Sequence, residues 1–239
     1  MKELQRILSF TRRAVDDYQM ISEGDKIAVG ISGGKDSMAL LSSLAAMRRF
    51  YPIPYTLCAI TVDMGFQGSD FSPIARYCEE LDVEYRVEKT DIAEIIFDVR
   101  KEPNPCSLCS KMRRGVLHST AKEMGATRVA LGHHFDDAVD TFMLNLFFEG
   151  RIGCFSPVSY LSRSDLYLIR PLLYAPEKDI AYFMRHAPVP TVESACPENR
   201  NTERENMKIL LSKLEKDYPG LRHRIFGALC RGEIDGFHE

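Results

Sequence analysis

The chain has 239 residues, 45% apolar and 27% charged, and its 31 Lys and Arg against 34 Asp and Glu leave a net charge of −3. That length suits one α/β domain with a modest appendage, and the balance excludes a protein that holds nucleic acid by bulk positive charge, although a local basic face remains compatible with it. No apolar run nears the roughly 18–20 residues of a membrane span, no export signal opens at Met1, and the cysteines number seven, so the expectation is a cytoplasmic protein with no membrane partner and with reduced or metal-bound thiols.

Residues 3–20 carry Leu4, Ile7, Leu8, Val15 and Tyr18 at helical spacing, which predicts a leading helix over one edge of a sheet. Gly24-Asp25 then turns into Lys26-Ile27-Ala28-Val29, a β-branched run that reads as a buried strand. The next stretch, Gly30-Ile31-Ser32-Gly33-Gly34-Lys35-Asp36-Ser37, leads into the helix formers Met38 to Met47. Strand, glycine turn and helix together make an anion site. The first helical turn leaves N–H groups unpaired at the positive end of the dipole, and the glycines let a phosphate approach the backbone. Ser32 and Ser37 add hydroxyls and Lys35 a full charge. The Walker pattern fails here twice, at Val29 and at Asp36.

Tyr55 to Asp63 is a second strand, apolar nearly throughout, as expected where both faces are covered. Helix is predicted over 71–81, strand over Val83–Val87, a short helix over Asp91–Phe97 and a helix over 111–124. A strand over Arg128–Gly132, a helix over Asp137–Phe148 and a strand over Leu166–Arg170 follow. Strands alternating with helices predict a doubly wound, Rossmann-like parallel sheet, whose ligands sit beyond the carboxyl ends of the strands. The glycine turn, Asp63 and Gly132-His133-His134 all fall there. Beyond Pro188-Val189-Pro190 come amphipathic helices over Asn199–Lys216 and Leu221–Leu229 and a frayed tail from Arg231. The organisation expected is an N-terminal helix (1–24), a nucleotide domain (25–187) and a small C-terminal helical extension (188–239).

Cys106-Ser107-Leu108-Cys109 sits where a loop enters the helix over 111–124. The pair by itself fits a redox dithiol, half of a zinc site or two buried cysteines. Cys196 is a distant third. Three thiolates fall one short of a closed structural zinc site and suit an iron–sulfur cluster with one open iron. Cys58 and Cys78 read as core. Asp63 fits a nucleotide contact or a turn cap, and Asp136 and Asp137 fit Mg²⁺ ligands or a helix cap.

Ser32-Gly33-Gly34-Lys35-Asp36-Ser37 resembles the pyrophosphate loop of the N-type ATP pyrophosphatases, which split ATP into AMP and pyrophosphate. With Cys106-Ser107-Leu108-Cys109 before Arg113-Arg114-Gly115, then Leu131-Gly132-His133-His134-Phe135-Asp136-Asp137, then Ile169-Arg170-Pro171-Leu172, residues 20–225 resemble the tRNA 2-thiocytidine biosynthesis (TtcA) family. Glu193 stands where members of that family carry a further cysteine. The resemblance implies an adenine nucleotide alpha hydrolase-like fold. It also implies an ATP- and Mg²⁺-dependent sulfurtransferase that adenylates a cytidine of the tRNA anticodon loop and replaces its oxygen by sulfur. By position it implies a 4Fe-4S cluster on Cys106, Cys109 and Cys196. Nucleotide binding falls on Ser32, Gly33, Gly34, Lys35, Asp36, Ser37, Asp63, Gly132, His133 and Arg170. Chemistry falls on Lys35, Asp36, Arg113, Asp136 and Asp137. The partners implied are tRNA and a sulfur donor such as a cysteine desulfurase, with a homodimer left open. A basic rim for RNA is expected from Lys111, Arg113, Arg114 and Lys122 and from Arg200, Arg204, Arg222, His223 and Arg224. The alternatives are an ATP pyrophosphatase with zinc at its thiols and a noncatalytic sulfur or cluster carrier.

Overall fold

Lys26–Gly30, Thr56–Asp63, Glu84–Lys89, Arg128–Ala130, Val158–Leu161 and Leu166–Ile169 are strands β1 to β6 of one sheet in the computed structural model, which describes residues 2–100, 105–193, 196 and 203–238. The strand order is β3-β2-β1-β4-β6-β5. Every neighbouring pair is parallel except β5 with β6. From β1 the chain winds outward through β2 to β3, then returns to place β4 on the other side of β1. The crevice between β1 and β4 is therefore a topological switch point, the place where a sheet of this kind binds its ligand.

The helices are α1 (Lys2–Asp17), α2 (Lys35–Met47), α3 (Ser72–Glu80), α4 (Pro105–Glu123), α5 (Phe135–Phe148), α6 (Glu177–His186), α7 (Glu203–Asp217) and α8 (Leu221–Arg231). Alternation along β1 explains the layering. Ile27 and Val29 face a core with Leu40, Leu41 and Leu44 of α2. Ala28 faces the other way, with Cys58, Ile60 and the α4 residues Leu117 and Ala121. Met207 and Leu211 of α7 and Phe226 and Leu229 of α8 belong to the first core, so these helices pack onto the sheet's helical layer through α5. Among the described residues no helix is long and apolar enough to cross a membrane.

Four expectations are corrected. The first helix does not cover a sheet edge; it packs on α2 and α6, because its apolar stripe meets helices rather than strands. The sheet carries a sixth, antiparallel strand, β5, at its β6 edge. The thiol pair lies within α4 rather than before it, since that helix starts at Pro105, a residue whose fixed φ and missing N–H suit a first helical turn. The C-terminal tail is not frayed: a short turn at Ile234–Gly236 returns Phe237 to the core, where it is 1% exposed.

Candidate active site

The turn after β1 is held by its own hydroxyls. Ile31 still donates to Ile60 of β2 at 2.8 Å, after which Gly33 takes φ +85° and Gly34 caps α2. Ser37 Oγ donates to the Gly34 carbonyl at 3.0 Å, so it must accept from Ser32, whose Oγ lies 3.2 Å away. Ser32 Oγ in turn accepts from the Gly34 N–H at 3.3 Å, and the Ser32 N–H donates to Ser37 Oγ at 3.2 Å. Each hydroxyl thus has a fixed direction. Gly132 at the end of β4 presses on the same turn: a Cβ there would stand 3.0 Å from the Asp36 carbonyl. The segment approaching Cys196 reaches it too, with Val192 donating its N–H to the Gly33 carbonyl at 2.9 Å.

Lys35 Nζ lies 2.9 Å from Asp36 Oδ1 and 2.9 Å from Glu177 Oε1. Burial pulls its proton affinity down, but the two carboxylates outweigh that, and its pKa ends above the usual lysine value. Glu177, at the start of α6, is the functional candidate that sequence reasoning missed. Its backbone N–H is held by Asp136 Oδ2 at 2.7 Å, and Lys208 stands 3.7 Å from its second oxygen.

The β4–α5 corner supplies the facing wall. His134 and Asp137 form a capping box: Asp137 Oδ2 accepts from the His134 N–H at 3.1 Å, and His134 Nδ1 accepts from the Asp137 N–H at 3.4 Å. Nδ1 therefore carries no proton, and the Nε2 side of the ring faces Asp36 Oδ1 at 3.7 Å. Burial pushes Asp137 up, yet the two histidines, the His134 N–H and Arg204 hold it below the ordinary aspartate value. His133 accepts from Arg170 Nε through Nδ1 at 3.3 Å. Burial first, and the Arg170 charge second, push its pKa down to about 4. Arg170 itself is buried, lies 4.7 Å over the Phe155 ring, donates to the Ser156 carbonyl, and is lowered by burial to about 10.

Several expected residues have turned inward. Arg222 pairs with Asp136 at 3.2 Å and with the fully buried Asp140 at 3.0 Å, and Arg204 pairs with Asp137 at 3.3 Å. These two arginines of the expected RNA rim face carboxylates instead, because the C-terminal helices pack on α5. Lys122 donates to the Ser164 carbonyl and Arg224 to the carbonyls of Tyr218 and Pro219. His223 stacks on Phe135 at 4.9 Å. Lys111 and Arg114 lie along α4, where Arg114 Nε donates to the Ser110 carbonyl, and Arg200 lies outside the described residues. Asp63 caps its own turn: Oδ1 accepts from the Gly65 N–H at 3.0 Å, and its carbonyl accepts from Thr90.

The thiols divide in two. Burial pushes Cys58 up to about 11 and Cys78 up to about 12, as inert core thiols. Cys106 is exposed, and Cys109 and Cys196 are partly so. Burial raises Cys109, Arg113 beside it pulls it down, and the charges of Cys196 and Cys106 raise it again. The three expected thiols therefore share one electrostatic neighbourhood. Among the described residues, no three or more His, Cys, Asp or Glu side chains gather closely enough to hold a single metal ion.

Residues 5–213 match a family model described as a PP-loop domain. A protein of Syntrophotalea carbinolica named tRNA-cytidine(32) 2-sulfurtransferase is 40% identical over 228 residues, 94% of this chain and 88% of that protein. Proteins with the same name from Geobacter sulfurreducens and Methylobacillus flagellatus are 39% and 36% identical, spanning 94% and 98% of this chain and 89% and 78% of theirs. Among solved structures, the U34-tRNA thiolase NcsA of Methanococcus maripaludis, with its [4Fe-4S] cluster, superposes with a TM-score of 0.76 at 27% identity, over 92% of this chain and 76% of that one.

Proposed function

The chain belongs to the PP-loop family, and from that premise we propose that it is an ATP-dependent tRNA-cytidine 2-sulfurtransferase, acting on the cytidine at position 32 that its relatives' name specifies. The observation that carries this reading is the 2.9 Å bond from Val192 to Gly33, which ties the run toward Cys196 to the phosphate turn.

A cytosine carbonyl oxygen is a poor leaving group. Attack of that oxygen on the α-phosphorus of ATP breaks the bond to the β-phosphate, releases pyrophosphate and leaves the oxygen as part of an AMP ester. A sulfur nucleophile then adds at C2, and AMP departs with the oxygen. The Ser32–Ser37 turn offers N–H groups and oriented hydroxyls to the phosphates. Lys35, drawn off Asp36 and Glu177, neutralises the charge that gathers on the departing pyrophosphate. Mg²⁺ needs only one or two carboxylates when phosphate oxygens complete its shell, so Asp36 beside the phosphate turn would hold it together with ATP, while Asp136 and Asp137, paired with Arg222 and Arg204, brace the wall of the pocket. Arg113, beside Cys109, is the residue proposed to meet the phosphoryl charge of the adenylate.

Cys106, Cys109 and Cys196 are the ligands proposed for a 4Fe-4S cluster. Cys106 and Cys109 lie three residues apart in α4, and both Cys106 and Cys196 act electrostatically on Cys109, so the three stand near enough to serve one group. When bound, such a cluster supplies an iron without a protein ligand, where sulfur can be presented to the activated base. A cysteine desulfurase as sulfur source, a homodimer and a cytoplasmic location belong to the same proposal.

The test is anaerobic. Cluster-loaded protein, ATP, sulfide and unmodified tRNA should yield 2-thiocytidine with one AMP and one pyrophosphate per base. ADP as the nucleotide product, or loaded protein that leaves the tRNA unthiolated, would refute the proposal.

A further inference from the structure

Lys35 is coupled to a charge that lies outside both the phosphate turn and the wall facing it. Its ammonium is held by Glu177 Oε1 at 2.9 Å, and the other oxygen of that carboxylate, Oε2, faces Lys208 Nζ at 3.7 Å. Asp36 Oδ1 stands 2.9 Å from the same ammonium. Four charges therefore alternate in a row: Asp36, Lys35, Glu177, Lys208. The first two belong to the phosphate turn, the third opens α6 and the fourth sits on α7.

The far end of the row is fixed by the fold. The Glu177 N–H donates to Asp136 Oδ2 at 2.7 Å, a bond that does not involve Lys208. Lys208 follows Met207, which is 3% exposed, and Leu211 one turn on is fully buried, so α7 presents the ammonium from a packed helix. Between these anchors the Glu177 carboxylate serves two cations at once. Burial pushes it up, and Lys35 first and Lys208 after it pull it below its ordinary value.

That sharing bears on nucleotide binding. Lys35 has to leave its carboxylates to meet a phosphate, so whatever tightens Glu177 on Lys35 competes with ATP. A cation at the second oxygen offsets part of the carboxylate's negative charge and weakens its hold on the first cation. Resting on the ATP chemistry above, we propose that Lys208 is a positioning residue for it: acting through Glu177, Lys208 lets the Lys35 ammonium transfer to the phosphates, without touching the nucleotide itself. The side chains of Lys35, Glu177 and Lys208 are 36%, 33% and 28% exposed, so water screens the row and the effect is a few-fold one.

Full-length protein is titrated with ATP, melting midpoints are recorded, and pyrophosphate release is followed with cluster-loaded protein and unmodified tRNA at saturating ATP. Lys208→Met should raise the Kd for ATP about three- to five-fold, the scale of one partly exposed ion pair. Pyrophosphate release at saturation should stay within about two-fold of the parent, because Lys35 has already moved once ATP is bound. Lys208→Arg, which returns the charge, should restore the affinity. In a Glu177→Gln background, where the intermediary is neutral, Lys208→Met should change nothing. Lys213→Met removes a charge from the same helix and the same cleft and should leave ATP affinity as it is.

Parent affinity in Lys208→Met overturns the proposal. An equal loss in the Glu177→Gln background would make Lys208 a direct phosphate contact, and an equal loss in Lys213→Met would make it one of several charges that attract the nucleotide. A loss that Lys208→Arg does not recover, with a lowered melting midpoint, would make it a packing residue. Each of these also overturns it. Parent protein that binds no ATP refutes instead the nucleotide chemistry beneath, and parent protein that shows these affinities but leaves tRNA unthiolated refutes the sulfurtransferase reading alone.

Discussion

Val192 and Gly33 meet twice: the Val192 N–H donates to the Gly33 carbonyl at 2.9 Å, and the Val192 carbonyl stands 3.0 Å from where a Cβ on Gly33 would lie. Because Gly33 also has φ +85°, Gly33→Ala brings two penalties at one position. The left-handed backbone costs an L-residue about 1–2 kcal/mol, and the new methyl pushes against the strand of chain that leads toward Cys196. We expect the KM for ATP to rise about ten-fold or more, with a lower melting midpoint. Gly34→Ala is the control for folding, since its nearest contact would be Ser32 Oγ at 3.5 Å. It should leave the melting midpoint in place, so any loss of ATP affinity there reports how closely phosphate approaches the backbone.

Lys35 and Glu177 couple the phosphate turn to α6, and their pH signatures have opposite signs. Burial pushes Glu177 up, but its bond to Lys35 outweighs that and holds it below its ordinary 4.5. Its contribution to stability is thus complete above that value and fades as pH falls through the lowered one. Lys35, raised above 10.5, contributes fully below that value and loses its contribution only as pH rises through the raised one. Between pH 6 and pH 3 the melting midpoint of Glu177→Gln should therefore fall less than that of the parent. Lys35→Met should slow pyrophosphate release by about 10²–10³-fold, the scale of removing one preorganised charge from a transition state.

The phosphate turn was legible because its chemistry is crowded into consecutive residues, and the His134–Asp137 capping box because its partners are three apart. Glu177 was not, since nothing local says that a glutamate at a helix start will face a lysine after the first strand. Arg222 was read as a surface cation for the same reason: its partner Asp140 is 82 positions away. An apolar stripe told that α1 is buried on one side without telling which layer it meets. Strand β5 has four residues, one of them exposed, too short to show a period. Phe237 is a lone aromatic in a polar tail, and periodicity has nothing to count there. Pro105 is a local signal of a helix start, and α4 begins there.

Arg222 is the charge on which the α5–α8 contact depends. Its Nη1 serves both Asp136 and Asp140. Burial raises Asp140, the Arg222 charge opposes that, and the net shift is upward. Its Oδ2 already lacks a hydrogen-bond partner among the described residues. Arg222→Met leaves a buried carboxylate uncompensated, a change that costs about 3–5 kcal/mol when one half of a buried pair is removed. Urea denaturation should show a loss of that size. Arg222→Met combined with Asp140→Asn should recover a good part of it, because the uncompensated charge is gone.

His133 is the residue whose protonation state the structure constrains most. It accepts from Arg170 through Nδ1, and its pKa is pushed down to about 4, so at neutral pH it is an uncharged imidazole and cannot serve as an acid. Its ring should titrate near pH 4 by proton NMR. In the unfolded chain it takes up a proton near 6.5, so the fold loses stability as pH falls from 6.5 toward 4 and loses nothing further from this group below that. His133→Asn should flatten that part of the stability profile. Arg170→Met should move the ring's midpoint upward, since it removes a positive neighbour.

The seven thiols should separate cleanly by environment. Cys58 and Cys78 are buried, with thiols pushed up to about 11 and about 12, so their proton is not readily lost to a metal. Burial raises Cys109 as well, but it is only partly buried, Arg113 beside it opposes the rise, and Cys106 and Cys196 share its surroundings. After anaerobic reconstitution, Cys106→Ser, Cys109→Ser and Cys196→Ser should each lose most of the bound iron and acid-labile sulfide and all 2-thiocytidine formation. ATP affinity should stay within about two-fold of the parent, because the bonds that orient the turn's hydroxyls run among Ser32, Gly34 and Ser37 and none involves a cysteine. Cys58→Ala and Cys78→Ala should keep their iron. If Cys196→Ser retained a full complement of iron, the cluster would have to be held without the segment that Val192 ties to the phosphate turn, and the shared cleft for ATP and sulfur would be lost as an explanation.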